Sequence, residues 1–146
     1  GTAIAVAERL HRKWIGIDIT HLAIALLRSR LETAFAADPP VYEVIGEPKD
    51  LEGATALSLH DRYQFQWWAL GLARARPVGD VKKKGADAGI DGVIIFFDDK
   101  PDKPKRILIS VKSGHVNVSH VRDLRGVVER EKAAHRAICK CPYCEC

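Results

Sequence analysis

Two apolar runs on either side of a polar turn constrain the fold of this chain more than any other feature. Ile90 to Phe97 and Arg106 to Val111 are apolar and rich in β-branched residues, and the turn between them, Asp98 to Lys105, holds two prolines. This pattern predicts an antiparallel β-hairpin. Such pairing brings the start of one strand beside the end of the other, so Asp91 and Lys112 are expected to be neighbours at one sheet edge.

Patterns of helix and strand surround the hairpin and indicate an α/β (α+β) protein. Helices are expected at Thr2–Leu10, His21–Glu32 with Thr20 as its cap, Leu51–Leu59, Arg62–Ala73 with Asp61 as its cap, and from a Ser119 cap to Ala134. A buried parallel strand is expected at Trp14–Ile19 and a short strand at Val41–Ile45. Residues 77–89 are expected to form a loop, and no clear period follows His135.

The composition bounds the class of protein. The 146 residues give room for one ordinary domain, or for a small domain plus a fragment, and 47% apolar with 29% charged residues is typical of a soluble globular protein. No apolar run reaches the roughly 20 residues of a membrane helix, and no secretory leader is evident, so we expect a cytoplasmic protein without a membrane partner. The absence of methionine predicts a fragment or a cloned piece.

Basic residues concentrate near the hairpin. The net charge is +4, but residues 101–140 hold ten Lys or Arg against four acids, and Lys82, Lys83 and Lys84 precede a glycine-rich loop. A run of charge is often only a solvated surface. The clustering around one candidate site favours a phosphate-binding surface, with Arg122 and Arg125 on the last helix, and hence DNA as a partner.

Asp91 and Lys112 allow two interpretations. One is a surface salt bridge at the end of a strand, which contributes little to stability. The other is metal-assisted phosphodiester hydrolysis, in which a carboxylate holds Mg²⁺ or Mn²⁺ and a cation positions or deprotonates the attacking water. Asp91 would then bind the metal with the Val111 carbonyl as a further ligand, and Lys112 would act on the water.

The order of these motifs resembles the Mrr-like branch of the PD-(D/E)xK restriction endonucleases. The resemblance rests on Gly85 to Gly92, Ile109 to Lys112 and the helix Val121 to Val127. It implies a mixed sheet flanked by helices over residues 41–134, with Asp91 and Lys112 catalytic and Asp87 near the metal. This reading predicts a metal-dependent DNA endonuclease from a restriction-modification system.

The middle position of the motif departs from the family, because Ser110 stands where the family has Glu, Asp or Gln. This serine would be a neutral and weaker ligand at a catalytic position. Gln64 or Gln66 on the preceding helix, or Asp87, could compensate. The departure keeps two alternatives open, namely a DNA-binding module with a non-cleaving site and a non-functional methyltransferase/nuclease fragment.

Residues 1–36 resemble a different family, the DNA amino-methyltransferases. Gly1 to Glu8 followed by Trp14 to Ile19 is similar to their S-adenosylmethionine motif, and the resemblance implies that Asp18 once bound the ribose hydroxyls. The glycine-rich loop is cut off at Gly1, so we expect a remnant that does not bind S-adenosylmethionine. The sequence from Asp38 to Val41 is similar to the methyltransferase catalytic motif, but we interpret it as a loop.

Residues 135–146 hold all four cysteines: Cys139, Cys141, Cys144 and Cys146. Cys141 and Cys144 form a CxxC pair, but it does not open a helix, so redox catalysis is not expected. Zinc is not expected either, because structural sites usually draw two pairs from separated segments. The nuclease family continues here with an apolar strand, so we expect one strand to be missing and the free sheet edge to allow a homodimer.

Overall fold

The computed structural model describes residues 2–78, 89–98 and 103–140, which belong to two compact units, Gly1–Glu47 (unit 1) and Pro48–Cys146 (unit 2). In the described part of the chain, no helix is both long enough and apolar enough to cross a membrane.

Unit 1 contains two helices, α1 (Thr2–Arg9) and α2 (His21–Ala34). Thr20 begins α2 as expected, since its hydroxyl accepts a hydrogen bond from the backbone N–H of Ala23 at 3.2 Å. Leu31 of α2 is buried. Both helices predicted in this part of the sequence are therefore confirmed.

The two strands predicted in unit 1 are wrong. Neither Trp14–Ile19 nor Val41–Ile45 pairs in a sheet among the described residues, and the side chains of Ile15 and Ile17 are almost fully exposed. A strand forms only where another strand satisfies its backbone hydrogen bonds. The apolar pattern shows that these residues favour an extended strand, but it does not show whether a partner strand is present.

Unit 2 begins with two helices, α3 (Leu51–His60) and α4 (Arg62–Leu72), which pack on each other. Asp50 caps α3 by accepting a hydrogen bond from Gly53 N–H. Asp61 caps α4 by accepting from the N–H groups of Tyr63 and Gln64, as its position in the sequence predicts. Both predicted helices are confirmed.

A four-stranded mixed sheet follows, in the order β1 (Arg76–Pro77), β2 (Gly92–Phe96), β3 (Lys105–Lys112) and β4 (His135–Lys140). The first three strands are antiparallel, and β3 and β4 are parallel. The predicted hairpin is confirmed as β2 and β3, with Gly92 opposite Ile109. The mixed sheet with flanking helices is the predicted restriction-endonuclease-like α+β architecture.

Helix α5 (Val118–Glu131) connects the parallel strands β3 and β4. Asn117, and not the predicted Ser119, is its cap. The Asn117 side-chain oxygen accepts from the N–H of His120, and the His120 ring nitrogen accepts in return from the N–H of Asn117. The Ser119 hydroxyl donates to the same asparagine oxygen at 2.7 Å, so it supports the cap without forming it.

The prediction that the sheet loses a strand from His135 onward is wrong. β4 runs parallel to β3, from Ile107 opposite His135 to Lys112 opposite Lys140. Its sequence carries no clear alternation because it is short and mixes polar and small side chains, so only the pairing with β3 identifies it. The free edge from which a homodimer was expected is therefore occupied by β4, and Cys141, Cys144 and Cys146 lie outside the described residues.

The two faces of the sheet are covered by different helices. Val111 packs against Ala54 of α3 and Phe65 of α4. Because side chains alternate along a strand, Leu108 and Ser110 stand on the opposite face of β3, and both are buried. Ser110 is therefore a core position at the end of the hairpin, one residue from the predicted metal ligand Val111.

Candidate functional site

Asp91 lies immediately before β2, at the point where the hairpin ladder ends. Its backbone N–H donates to the carbonyl of Ile109 at 2.9 Å, and its carbonyl accepts from the N–H of Val78 at 3.0 Å. The backbone of Asp91 is thus held from both sides. This fixes the direction in which its carboxylate leaves the chain.

The Asp91 carboxylate turns toward β3. One of its oxygens, Oδ2, accepts hydrogen bonds from the backbone N–H of Val111 at 2.7 Å and from the Ser110 hydroxyl at 3.3 Å. In a longer hairpin, a backbone carbonyl of β2 would accept from the Val111 N–H. The carboxylate takes the place of that carbonyl, so the Val111 N–H at the end of β3 has a hydrogen-bond acceptor.

Ser110 is only 3% exposed, so its hydroxyl needs a partner inside the protein. Asp91 is that partner. The hairpin register predicted from the sequence therefore brings Asp91, Ser110 and Val111 together. Their mutual hydrogen bonds give each of them a structural role that requires no ligand.

Lys112 is two residues beyond Ser110 on β3, so its side chain leaves the same face of the sheet. It is partly buried. No ion pair joins its ammonium to Asp91 within the described residues, and the salt bridge considered from the sequence is not formed. Lys112 therefore lies beside the Asp91 hydrogen bonds without taking part in them.

Among the described residues, the oxygen atoms around Asp91 form only a small set of possible metal ligands. Mg²⁺ takes six oxygen ligands in near-ideal octahedral geometry, commonly one or two carboxylates together with several waters. The described residues supply one carboxylate, one hydroxyl and the Val111 carbonyl, and Asp91 Oδ2 already accepts two hydrogen bonds. No group of three or more His, Cys, Asp or Glu side chains in the described ranges could hold a metal ion. We therefore assign no chemical step to a metal.

The glutamines predicted to compensate for Ser110 are on α4. Gln64 and Gln66 are both partly buried. The hydrogen bonds of the Asp91 carboxylate run to β3, however, and the structure does not bring either amide into them. The remaining candidate, Asp87, lies outside the described residues.

The basic residues predicted to bind DNA fall into two groups. Lys82, Lys83 and Lys84 lie outside the described residues. Arg122 and Arg125 are exposed on α5, on the side away from the buried Leu124 and Val127. Arg125 pairs with Glu129 one turn later, at 3.0 Å. The structure thus separates these arginines from the packed face of α5 and does not gather them at Asp91.

Cys139 is a neighbour of the site that the sequence did not predict, because β4 was not predicted. It lies opposite Val111 in the parallel ladder and is partly buried. Burial raises the pKa of the Cys139 thiol, and the negative charge of Asp91 raises it further. The thiol is therefore held in its protonated form near neutral pH, in which it is a poor nucleophile.

Cys139 also borders a largely apolar cavity of about 640 Å³ in unit 2. The walls come mainly from α3 and α4, including Phe65, Trp68 and Leu72. Lys49 and Asp50 are its charged lining residues. The cavity has the character of a core region and not of a phosphate-binding cleft.

Asp18 of unit 1 accepts hydrogen bonds from both the N–H and the hydroxyl of Thr20, each at 3.0 Å. These bonds lower the pKa of the Asp18 carboxyl. The side chain therefore organises the turn that leads into α2. Its role toward a ribose stays a prediction.

Comparison with protein-family models gives a match within unit 2. Residues 73–138 match the family model of NACHT-associated inactive Restriction Endonuclease 1. The matched range contains β1, β2, β3, α5 and most of β4. Neither the curated proteins nor the solved structures contain a match to the chain. The match supports a restriction-endonuclease-like domain in unit 2, similar to a family described as inactive.

Proposed function

We propose that unit 2 is a restriction-endonuclease-like module that binds DNA and does not cleave it. The observation that carries this proposal is the bonding of Asp91 to Ser110 and Val111 at the end of the hairpin. Within the proposal, Asp91, Ser110 and Lys112 correspond to the catalytic positions of the Mrr-like nucleases.

The loss of cleavage follows from the chemistry of position 110. An acid there would share a cation with Asp91, since both side chains leave β3 and β2 at the same place. The serine hydroxyl is neutral and donates to Asp91, so it satisfies the carboxylate that a cation would otherwise bind. A lysine without a metal-activated water has no nucleophile to position. The similarity to a family described as inactive agrees with this reading.

The DNA-binding part of the proposal rests on charge. Among the described residues, Lys112, Arg122 and Arg136 take part in no ion pair, whereas Lys105, Arg106 and Arg125 do. Cations without acidic partners can neutralise phosphates and release counterions, which makes binding favourable and sensitive to salt. This contribution does not depend on a metal site.

For unit 1 we propose descent from a methyltransferase without retained binding of S-adenosylmethionine. The support is its sequence motif, together with the absence of sheet pairing between Trp14–Ile19 and any other described residue. In the related enzymes, the acid corresponding to Asp18 ends a strand within a sheet.

The proposed function is tested with one duplex and one plasmid. The affinity for a fluorescent duplex, measured by anisotropy, should fall steeply as the salt concentration rises. The slope of log K against log salt should become shallower by about one for each phosphate contact that Arg122→Ala or Arg136→Ala removes. Arg125→Ala is the matched control, because the Arg125 side chain already pairs with Glu129 of the same helix.

In the same samples, the native chain should leave supercoiled plasmid intact with Mg²⁺ or Mn²⁺. Cleavage by the native chain that Asp91→Asn abolishes would overturn the non-cleaving assignment. Affinity that does not change with salt would overturn DNA binding.

A further inference from the structure

We propose that unit 1 carries a self-association surface, onto which a second copy of this chain docks. The surface consists of five β-branched side chains, called here the apolar face: Ile15, Ile17, Ile19, Val41 and Ile45. The proposal does not depend on the function assigned to unit 2.

The first segment of the apolar face, from Ile15 to Ile19, follows a stretch of chain that packs against α1. The Trp14 indole donates to Glu8 of α1 at 2.5 Å. A side chain at Gly16 would collide with Ile4 of α1, which shows how closely the backbone approaches that helix there. Since Trp14 and Gly16 approach α1, Ile15 between them points away from that helix, and Ile17 and Ile19 are almost fully exposed as well.

The second segment, from Val41 to Ile45, lies beside the first. The ring centroids of Trp14 and Tyr42 are 5.9 Å apart. Exposure alternates from Val41 to Ile45, with Tyr42 and Val44 partly buried and the residues between and beside them exposed. The two segments therefore form a layer with helices on one side and the apolar face on the other.

The apolar face is large enough to make a dimer. Its side chains are 90% exposed at Ile15, 91% at Ile17, 90% at Ile19, 103% at Val41 and 85% at Ile45. Full burial of one aliphatic side chain removes on the order of 100 Å² from water, so five remove about 500 Å² on each copy. Two copies would then bury about 1,000 Å², which is where specific interfaces begin.

Charged side chains lie beside and within the apolar face. Lys13 precedes the first segment and Glu43 lies between Val41 and Ile45, and both are exposed. In a two-fold dimer each copy presents charges of both signs to the same residues of the other. Lys13, Asp18 and Glu43 give this face one cation and two acids, so the positive charge of the whole chain, +4, is not concentrated on it.

The test is the molar mass of the full chain by sedimentation equilibrium. At about 100 µM the native chain should be a dimer, as an interface of this size allows. Ile17→Asp should be a monomer with unchanged helical circular dichroism, because a charge would be buried at the centre of the interface. The matched control is Val118→Asp, an exposed valine at the start of α5, which should stay dimeric.

Two other outcomes contradict the proposal. A monomeric native chain, or a dimer that Ile17→Asp leaves intact, removes the apolar face as the interface. A monomeric native chain that Ile17→Asp also destabilises toward urea assigns the face to another part of the same chain. Ile15→Ser, a milder change, should weaken the dimer without unfolding unit 1 and separates misfolding from dissociation.

Discussion

The Asp91 carboxylate satisfies two donors of β3, the N–H of Val111 and the hydroxyl of Ser110. Hydrogen bonds to a charged acceptor are stronger than those between neutral groups, and an unsatisfied backbone donor inside a protein is costly. In the proposed non-cleaving module, the serine in place of an acid at position 110 gives this position a structural role instead of a ligand-binding one. The geometry of the nuclease motif can persist for that structural reason alone.

Cys139 offers a probe of the charge on Asp91. Replacement of Asp91 by Asn removes the negative charge that, after burial, raises the pKa of this thiol. The pKa of Cys139 should fall toward its ordinary value, so the midpoint of its alkylation rate against pH should move to lower pH. The measurement uses iodoacetamide on a chain in which Cys141, Cys144 and Cys146 are serine.

Asp123→Asn is the control for this shift, because Asp123 is exposed on α5. It should leave the alkylation midpoint of Cys139 unchanged. An equal midpoint in the native chain and in Asp91→Asn would show that the two groups do not interact.

At the scale of elements, Asn117 and Ser119 are both possible caps of α5 by residue type, and the structure assigns them different roles. Asn117→Ala removes the acceptor of the His120 N–H and should lower the free energy of unfolding by about 1 kcal/mol. Ser119→Ala removes only a supporting hydroxyl and should cost clearly less. Urea unfolding of both variants measures the difference, and a larger loss in Ser119→Ala would identify serine as the cap.

The elements that the sequence predicted correctly are those that local signals specify. Thr20 and Asp61 each begin a helix with their own side chains, and the β2–β3 hairpin joins residues close in sequence. A pattern of side chains contains that information directly. These signals predicted the helices of both units and the hairpin that positions Asp91.

The elements predicted wrongly depend on partners distant in sequence. Trp14–Ile19 has the apolar run of a buried strand but no strand beside it among the described residues, whereas His135–Lys140 lacks such a run and still pairs with β3. The contacts of the candidate site also fall into those set by nearby sequence and those set by distant partners. The contacts of Asp91 with Ser110 and Val111 follow from the hairpin, but its effect on Cys139 depends on β4 and could not be predicted.

At the scale of the whole molecule, the two units carry different proposals. Unit 2 has the mixed sheet and the family match, and its site residues stabilise the fold with their own hydrogen bonds. Unit 1 has two helices and the solvent-exposed apolar face. If both proposals hold, a dimer formed through unit 1 presents Lys112, Arg122 and Arg136 of unit 2 twice, and two linked sites hold DNA more tightly than one.

The role of Asp91 as a structural group in place of a metal ligand is tested most directly by urea unfolding of the native chain and of Asp91→Ala, with and without Mg²⁺. Without metal, Asp91→Ala should lower the free energy of unfolding by about 1–3 kcal/mol, because the Val111 N–H loses its acceptor. Asp123→Ala should change it little. About 10 mM Mg²⁺ should leave the native value unchanged, since a bound ligand would raise it. Stabilisation of the native chain by Mg²⁺ that Asp91→Ala abolishes would contradict the account and restore Asp91 as a metal ligand.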